Sequence, residues 1–185
     1  MFEKFLVIMK KRLLLFFIFM ALFSGAYQLG SMSDVDEEEA QDFLKEFEEL
    51  VKDIDAIGIF THNTTIALPM FIPGFGVGWG LFSAWSTGYA FASIVSTTPI
   101  LAGMPPLALL YLSPFGIMEL VAYSIAISRS FILIRVIVKK IPLYPLMKPT
   151  VIEIGIVIGL LLSGGYLEHY MISLVQESGF ELPGI

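Results

Sequence analysis

Several apolar runs in this chain approach the ~20 residues that a helix needs to cross a bilayer, and charge is confined between them. That pattern rules out most folds. A soluble domain would bury its apolar residues in one core and spread charge over its surface. Here 56% of the 185 residues are hydrophobic and only 15% are charged, with mean hydropathy +0.81. The expectation is an all-α polytopic membrane protein forming a single membrane domain over residues 1–185. Its apolar surface can face lipid or neighbouring helices.

The net charge of −6 is a sum of clusters, not a uniform acidity. Acids crowd into 34–55, whereas Lys and Arg crowd into 4–12 and 129–148. Such segregation is a signal of membrane topology and not of nucleic-acid binding. With no cysteine, there is no disulfide framework, thiolate metal site or thiol nucleophile.

The predicted spans are about 13–30, 56–73, 77–95, 107–127 and 151–167. Residues 13–23 followed by Ser24, Gly25 and Ala26 also fit a cleaved signal peptide, but a start at Met1 favours a retained anchor. Segment 56–73 is short and polar at Thr61 to Thr65, so a re-entrant loop is its rival reading. Charge decides between them. If it crosses, Lys4, Lys10, Lys11, Arg12, Arg129, Arg135, Lys139, Lys140 and Lys148 all share the cytoplasmic side. If it does not, the 129–148 cluster moves outside, against the positive-inside rule. The expectation is therefore five spans in a cell membrane, N-terminus cytoplasmic and C-terminus extracytoplasmic. The turn near Pro69 and Pro73 then needs protein or water to satisfy its backbone.

Between the first two spans, Phe43, Phe47, Leu50, Ile54 and Ile57 recur at helical spacing among acids. This predicts an extracytoplasmic amphipathic helix over 34–57, capped near Ser33 and Asp36, with its apolar stripe on the protein itself.

Gly76, Gly80, Ala84, Gly88, Ala92 and Ser96 stand four apart and make one thin ridge on the third span. Such ridges let membrane helices approach closely. Internal packing is the better reading there. Gly155, Gly159 and Ser163 form a similar ridge on the fifth span, the fairer candidate for a homodimer contact.

Glu119 lies in the apolar run "SPFGIMELVAYSIAISR" (113–129), near mid-span by count. A charged acid at the bilayer centre costs roughly 2.5–3.5 kcal/mol on insertion scales, so it must face protein or water and find a partner. Tyr123 and Phe115 share its face, and Gly116 leaves room beside it. Candidate partners are the Thr61–Thr65 group, Thr87, Tyr89, Ser124 and the backbone freed by Pro114. The plain reading is a hydrogen-bonded carboxyl joining helices. The alternative is an ion or proton site in a small transporter or channel, with Asn63 and Thr87 on the path. Glu153, one turn from Lys148 at the inner edge, needs only an ion pair there.

Catalytic patterns are weak. Ser163 and His169 lie six apart on one helix and so on different faces. A cluster of His62, Glu168 and His169 has no spacing that demands a metal. No catalytic residue, metal or cofactor is expected.

With "FTHNTTIAL" (60–68), "GLFSAWSTGYAFA" (80–92) and "SPFGIMELVAYSIAIS" (113–128) in view, the chain resembles the stage II sporulation protein M family. That resemblance implies five spans and site positions Asn63, Gly88, Pro114, Gly116 and Glu119. Two departures stand out: Thr87 where the family often has Asn, and Phe115 where it often has His. The second removes a His–Glu pair. In sporulating bacteria the family member is a component of the engulfment machinery, works with cell-wall-degrading proteins and is not known as a hydrolase. The resemblance implies a non-enzymatic membrane scaffold. Expected partners are membrane lipids, a second copy, or a protein held by the acidic outer helix, and no nucleic acid.

Overall fold

A computed structural model describes residues 2–51, 54–98 and 103–177. The described residues form seven α-helices and no strand: α1 (Phe2–Ser31), α2 (Glu37–Val51), α3 (Ala56–Ala67), α4 (Phe75–Thr97), α5 (Pro106–Leu112), α6 (Pro114–Val138) and α7 (Tyr144–Glu177). A 3-10 turn, Leu68–Phe71, extends α3. Three helices are long and apolar enough to cross a membrane, at Lys11–Ser31, Pro114–Val138 and Tyr144–Leu174. α3 is too short for that test. α4 has the length, but its glycines, serines and tryptophans dilute its apolarity.

Several helix ends differ from the sequence expectation, each for a local reason. The acidic helix does not run 34–57. α2 ends at Val51, and Asp55 is extended, with its carboxylate accepting a hydrogen bond from the Gly58 N–H at 2.7 Å. That is an N-cap, so Ile57 belongs to α3. At the other end Asp36, not Ser33, caps α2 by accepting from the Glu38 N–H at 2.9 Å. The apolar run 107–127 is likewise cut in two. Ser113 precedes a proline and is held extended (ψ 132°), while its hydroxyl accepts from the Gly116 N–H. α6 therefore starts at Pro114 and continues to Val138. Glu119 lies in its second turn, not at its middle.

Contacts fix the relative direction of the long helices. Arg12 of α1, Gly74 before α4, Ser130 of α6 and Glu153 of α7 gather at one end of the bundle. Ala56 of α3, Phe115 and Met118 of α6 and Gly164 and Gly165 of α7 gather at the other. Taken in chain order, α1, α3, α4, α6 and α7 thus alternate in direction along the bundle.

Small residues set the closest approach. α1 and α4 cross at a reciprocal contact: a Cβ on Gly88 would overlap the Tyr27 carbonyl, and one on Gly30 would overlap the Trp85 carbonyl. Gly76, Gly80 and Ala84 are buried on the same side of α4, Gly80 beneath Ile127. Gly76, Gly80, Ala84 and Gly88 of the ridge are buried, whereas Ser96 at its end is exposed. On α7, by contrast, nothing lies within 4 Å of where a Cβ would stand at Gly155 or Gly159.

The turn from α3 to α4 needs both a glycine and a donor. Gly74 sits at φ 80°, where a side chain would be strained. Ser130 of α6 stitches the turn to the bundle. Its hydroxyl accepts from the Gly74 N–H at 3.0 Å and donates to the Ile72 carbonyl at 2.6 Å. That satisfies polar backbone which an apolar surround cannot.

Candidate functional site

Two polar centres lie inside the bundle, one toward each end. Toward the Ala56–Gly165 end, Asn63 of α3 donates from Nδ2 to Oε1 of Glu119 at 2.7 Å. Asn63 is buried on the inward face of α3 with Ile59 and Ala67, four residues to either side. Glu119 is half-buried. One turn further along α6, the buried Tyr123 ring lies against Phe23 of α1, with centroids 5.5 Å apart. Phe115 and Met118, on the turns of α6 beside Glu119, lie next to Gly164 of α7. The carboxyl itself ties α3 to α6, while α1 packs on α6 one turn away at Tyr123.

The other expected site residues fall into different places. Pro114 opens α6 behind the Ser113 cap, and Gly116 is needed because Ser113 Oγ and the Leu109 carbonyl crowd its α-carbon. Together they set the start of α6, and hence the position of Glu119 one turn later. Gly88 serves the α1–α4 crossing. Thr87 lies on the exposed side of α4 and donates its hydroxyl to Ser83 in its own helix. Tyr89 donates to Glu39 of α2 at 3.0 Å, and Ser124 donates to the Leu120 carbonyl. Of the candidate partners for Glu119, it is the Thr61–Thr65 stretch that supplies the hydrogen bond, through Asn63.

The second centre is an ionic cluster that the sequence reading missed. Glu153 of α7 does not pair with Lys148, which is exposed. Arg129 of α6 donates from Nε to Oε2 and from Nη2 to Oε1, both at 2.6 Å. Arg12 of α1 donates from Nε to Oε1 at 2.9 Å. Its remaining nitrogens reach Ser128 Oγ at 2.7 Å and the Ile125 carbonyl at 3.3 Å. Side-chain exposure is 21% for Arg12, 5% for Arg129 and 16% for Glu153. Two guanidinium groups thus share one carboxylate, and three helices are joined. A signal for it existed: Arg12, Arg129 and Glu153 each lie at the inner edge of a different predicted span.

Among the described residues no three His, Cys, Asp or Glu side chains gather to hold a metal. The chemistry of both centres is hydrogen bonding and ion pairing between helices.

A helical membrane protein, its buried polar groups paired across helices, is the class that these features define. The chain belongs to the stage II sporulation protein M family, whose profile matches residues 13–171. That range takes in the Asn63–Glu119 pair, Arg129 and Glu153, and the α1–α4 crossing, with Arg12 one residue before it. No curated protein and no solved structure matches the chain. The family is not one known for an enzymatic activity.

Proposed function

We propose that the protein is a non-enzymatic membrane scaffold that crosses the bilayer five times and presents the acidic helix α2 to a partner outside the cell. The carrying observation is how the interior polar groups are used. Glu119 is bonded to Asn63, and Glu153 to Arg12 and Arg129, each bond joining different helices. Groups used in this way hold helices together. Five crossings are supported by the alternating directions of α1, α3, α4, α6 and α7, and by the basic residues that this arrangement puts on one side.

α2 suits the presenting role. It packs on α4 through Ala40, which is fully buried, and through the Tyr89–Glu39 hydrogen bond. Glu38, Gln41 and Asp42 remain exposed. A second copy of the chain is assigned to α7, where Gly155, Gly159 and Ser163 line an uncovered face.

The test is a pair of measurements on the full chain. A photocrosslinker at Asp42, in native membranes, is expected to capture a distinct partner protein; capture of nothing but a second copy of the chain would argue for a self-assembling unit instead. Ion and solute flux through the reconstituted protein is expected to be nil. Flux that disappears in Glu119→Gln would overturn the scaffold reading in favour of transport.

A further inference from the structure

The connection between α6 and α7 combines three observations that the bundle itself does not use. The first is its charge. Between Glu119 and Glu153 there is no acid, while Arg135, Lys139, Lys140 and Lys148 are all exposed. The second is its apolar surface. Val138 is 72% exposed, Tyr144 84% and Met147 60%, with Ile141 and Leu143 also uncovered. In water such a stretch would be costly, at about 25 cal/mol per Å² of apolar surface left wet.

The third is the backbone. α6 ends in a doubly bonded cap, with the Lys140 N–H donating to the Ile137 carbonyl and the Ile141 N–H to the Val136 carbonyl. This cap puts Lys140 at φ 54°, the left-handed position that glycine usually fills. It is the only non-glycine residue with positive φ among those described. A lysine at such a position is backbone strain that glycine would relieve. Ile141, the residue that such a cap commonly tucks against the helix, is instead half exposed.

A cationic turn with bare aliphatic and aromatic side chains has the chemistry of a membrane interface. Its apolar groups enter the acyl boundary and its ammonium groups stay at phosphate level. We propose that residues 135–148 form an interfacial anchor that binds the headgroup phosphates of anionic phospholipids. Tyr144 and Ile141 insert, while Lys139, Lys140 and Lys148 hold the phosphates. Anionic lipid is the occupant because the segment has no acid to repel it. The inference rests on the chain being a membrane protein, but not on its orientation.

The chain has no cysteine, so Tyr144→Cys carries a unique environment-sensitive fluorophore. The full-length protein is reconstituted into vesicles of phosphatidylcholine, with and without phosphatidylglycerol in both leaflets. Either lipid is brominated in turn. Because the two leaflets match, the direction of insertion does not affect the reading. The expected result is an apolar probe environment, and stronger quenching by brominated phosphatidylglycerol than by brominated phosphatidylcholine. That preference should fall by roughly five-fold for each lysine in contact that is removed, in Lys139→Gln, Lys140→Gly and Lys148→Gln. Lys140→Gly relieves the backbone, so lost preference in that variant reports charge and not misfolding. A water-like probe spectrum in both kinds of vesicle would overturn the proposal and leave an acidic soluble partner as the better fit. Equal quenching by the two lipids would overturn it as well.

Discussion

Arg129 grips Glu153 through two hydrogen bonds of 2.6 Å each, one to each carboxylate oxygen. A fork of this kind is directional as well as strong. It fixes the rotation of α7 against α6, and Arg12 then adds α1. Removing the carboxylate would leave two guanidinium groups facing each other with little water. Breaking a buried pair by removing one partner typically costs roughly 3–5 kcal/mol. Glu153→Ala is therefore expected to be the most destabilising change at this centre. Arg129→Ala should follow, and Arg12→Ala should cost least, because Arg12 makes one bond to Glu153 and is the most exposed of the three. Thermal unfolding in detergent micelles checks the order. A melting temperature for Glu153→Ala equal to that of the wild type would show that the cluster does not hold the bundle.

The Asn63–Glu119 bond makes a finer distinction. Glu119→Gln keeps a carbonyl that accepts from Asn63, so stability should change little. Glu119→Leu removes the acceptor and leaves a buried amide unpaired, at a cost of about 1–3 kcal/mol. Asn63→Ala removes the donor and should cost a similar amount. Unfolding of the three variants, measured alongside the wild type, is the check. Equal destabilisation by Gln and Leu at 119 would mean that the negative charge, not the hydrogen bond, is what the fold needs.

Glycines on α4 and α7 should respond in opposite ways. Gly88 faces the backbone of α1, which cannot move aside as a flexible side chain would. Gly88→Leu should push α1 and α4 apart, at a cost of at least about 1–3 kcal/mol, the usual range for overpacking. Gly155→Leu and Gly159→Leu meet open space and should leave the unfolding temperature unchanged in dilute detergent. If α7 is the face between copies, the same α7 variants abolish crosslinked dimers in membranes. Dimers that persist in both would remove α7 from that role.

The class and the main packing ridge were legible in the sequence because both are periodic. Runs of ~20 apolar residues report helices in lipid, and glycine at every fourth position reports a narrow helix face. Helix ends were less legible because they depend on single side-chain bonds. Asp55 ends one apolar pattern and starts another, and Ser113 with Pro114 cuts a run that hydropathy reads as continuous. The pairing at Glu119 was half legible: its acid had to have a partner, and Asn63 stood in the polar stretch named for it. The cluster at Glu153 was legible only as three charges at the inner edges of different spans, because Arg12, Arg129 and Glu153 are far apart in sequence and only the fold pairs them. Proximity to Lys148 along the chain suggested a partner that geometry does not use.

Whether α3 crosses the bilayer decides the topology. Its 12 residues span only about 18 Å as an α-helix, well short of a ~30 Å hydrocarbon core. The 3-10 turn, and the tie from Ser130 to Ile72 and Gly74, carry the chain further toward the Glu153 end. The bundle around α3 supplies what a lone short helix would lack, since Asn63 and the turn find partners on α6. Between α2 and the α6–α7 connection lie α3, α4, the seven-residue α5 and α6. Crossing by α3, α4 and α6 puts Glu38 and Lys139 on opposite sides, and a re-entrant α3 puts them on the same side. Single cysteines at these two positions, in a chain with none of its own, separate the cases with an impermeant maleimide on intact cells. Glu38→Cys should react at once, and Lys139→Cys only after the membrane is opened. Equal labelling of both in intact cells would make α3 a re-entrant segment, and would place the basic connection on the outer face, where the positive-inside rule disfavours it.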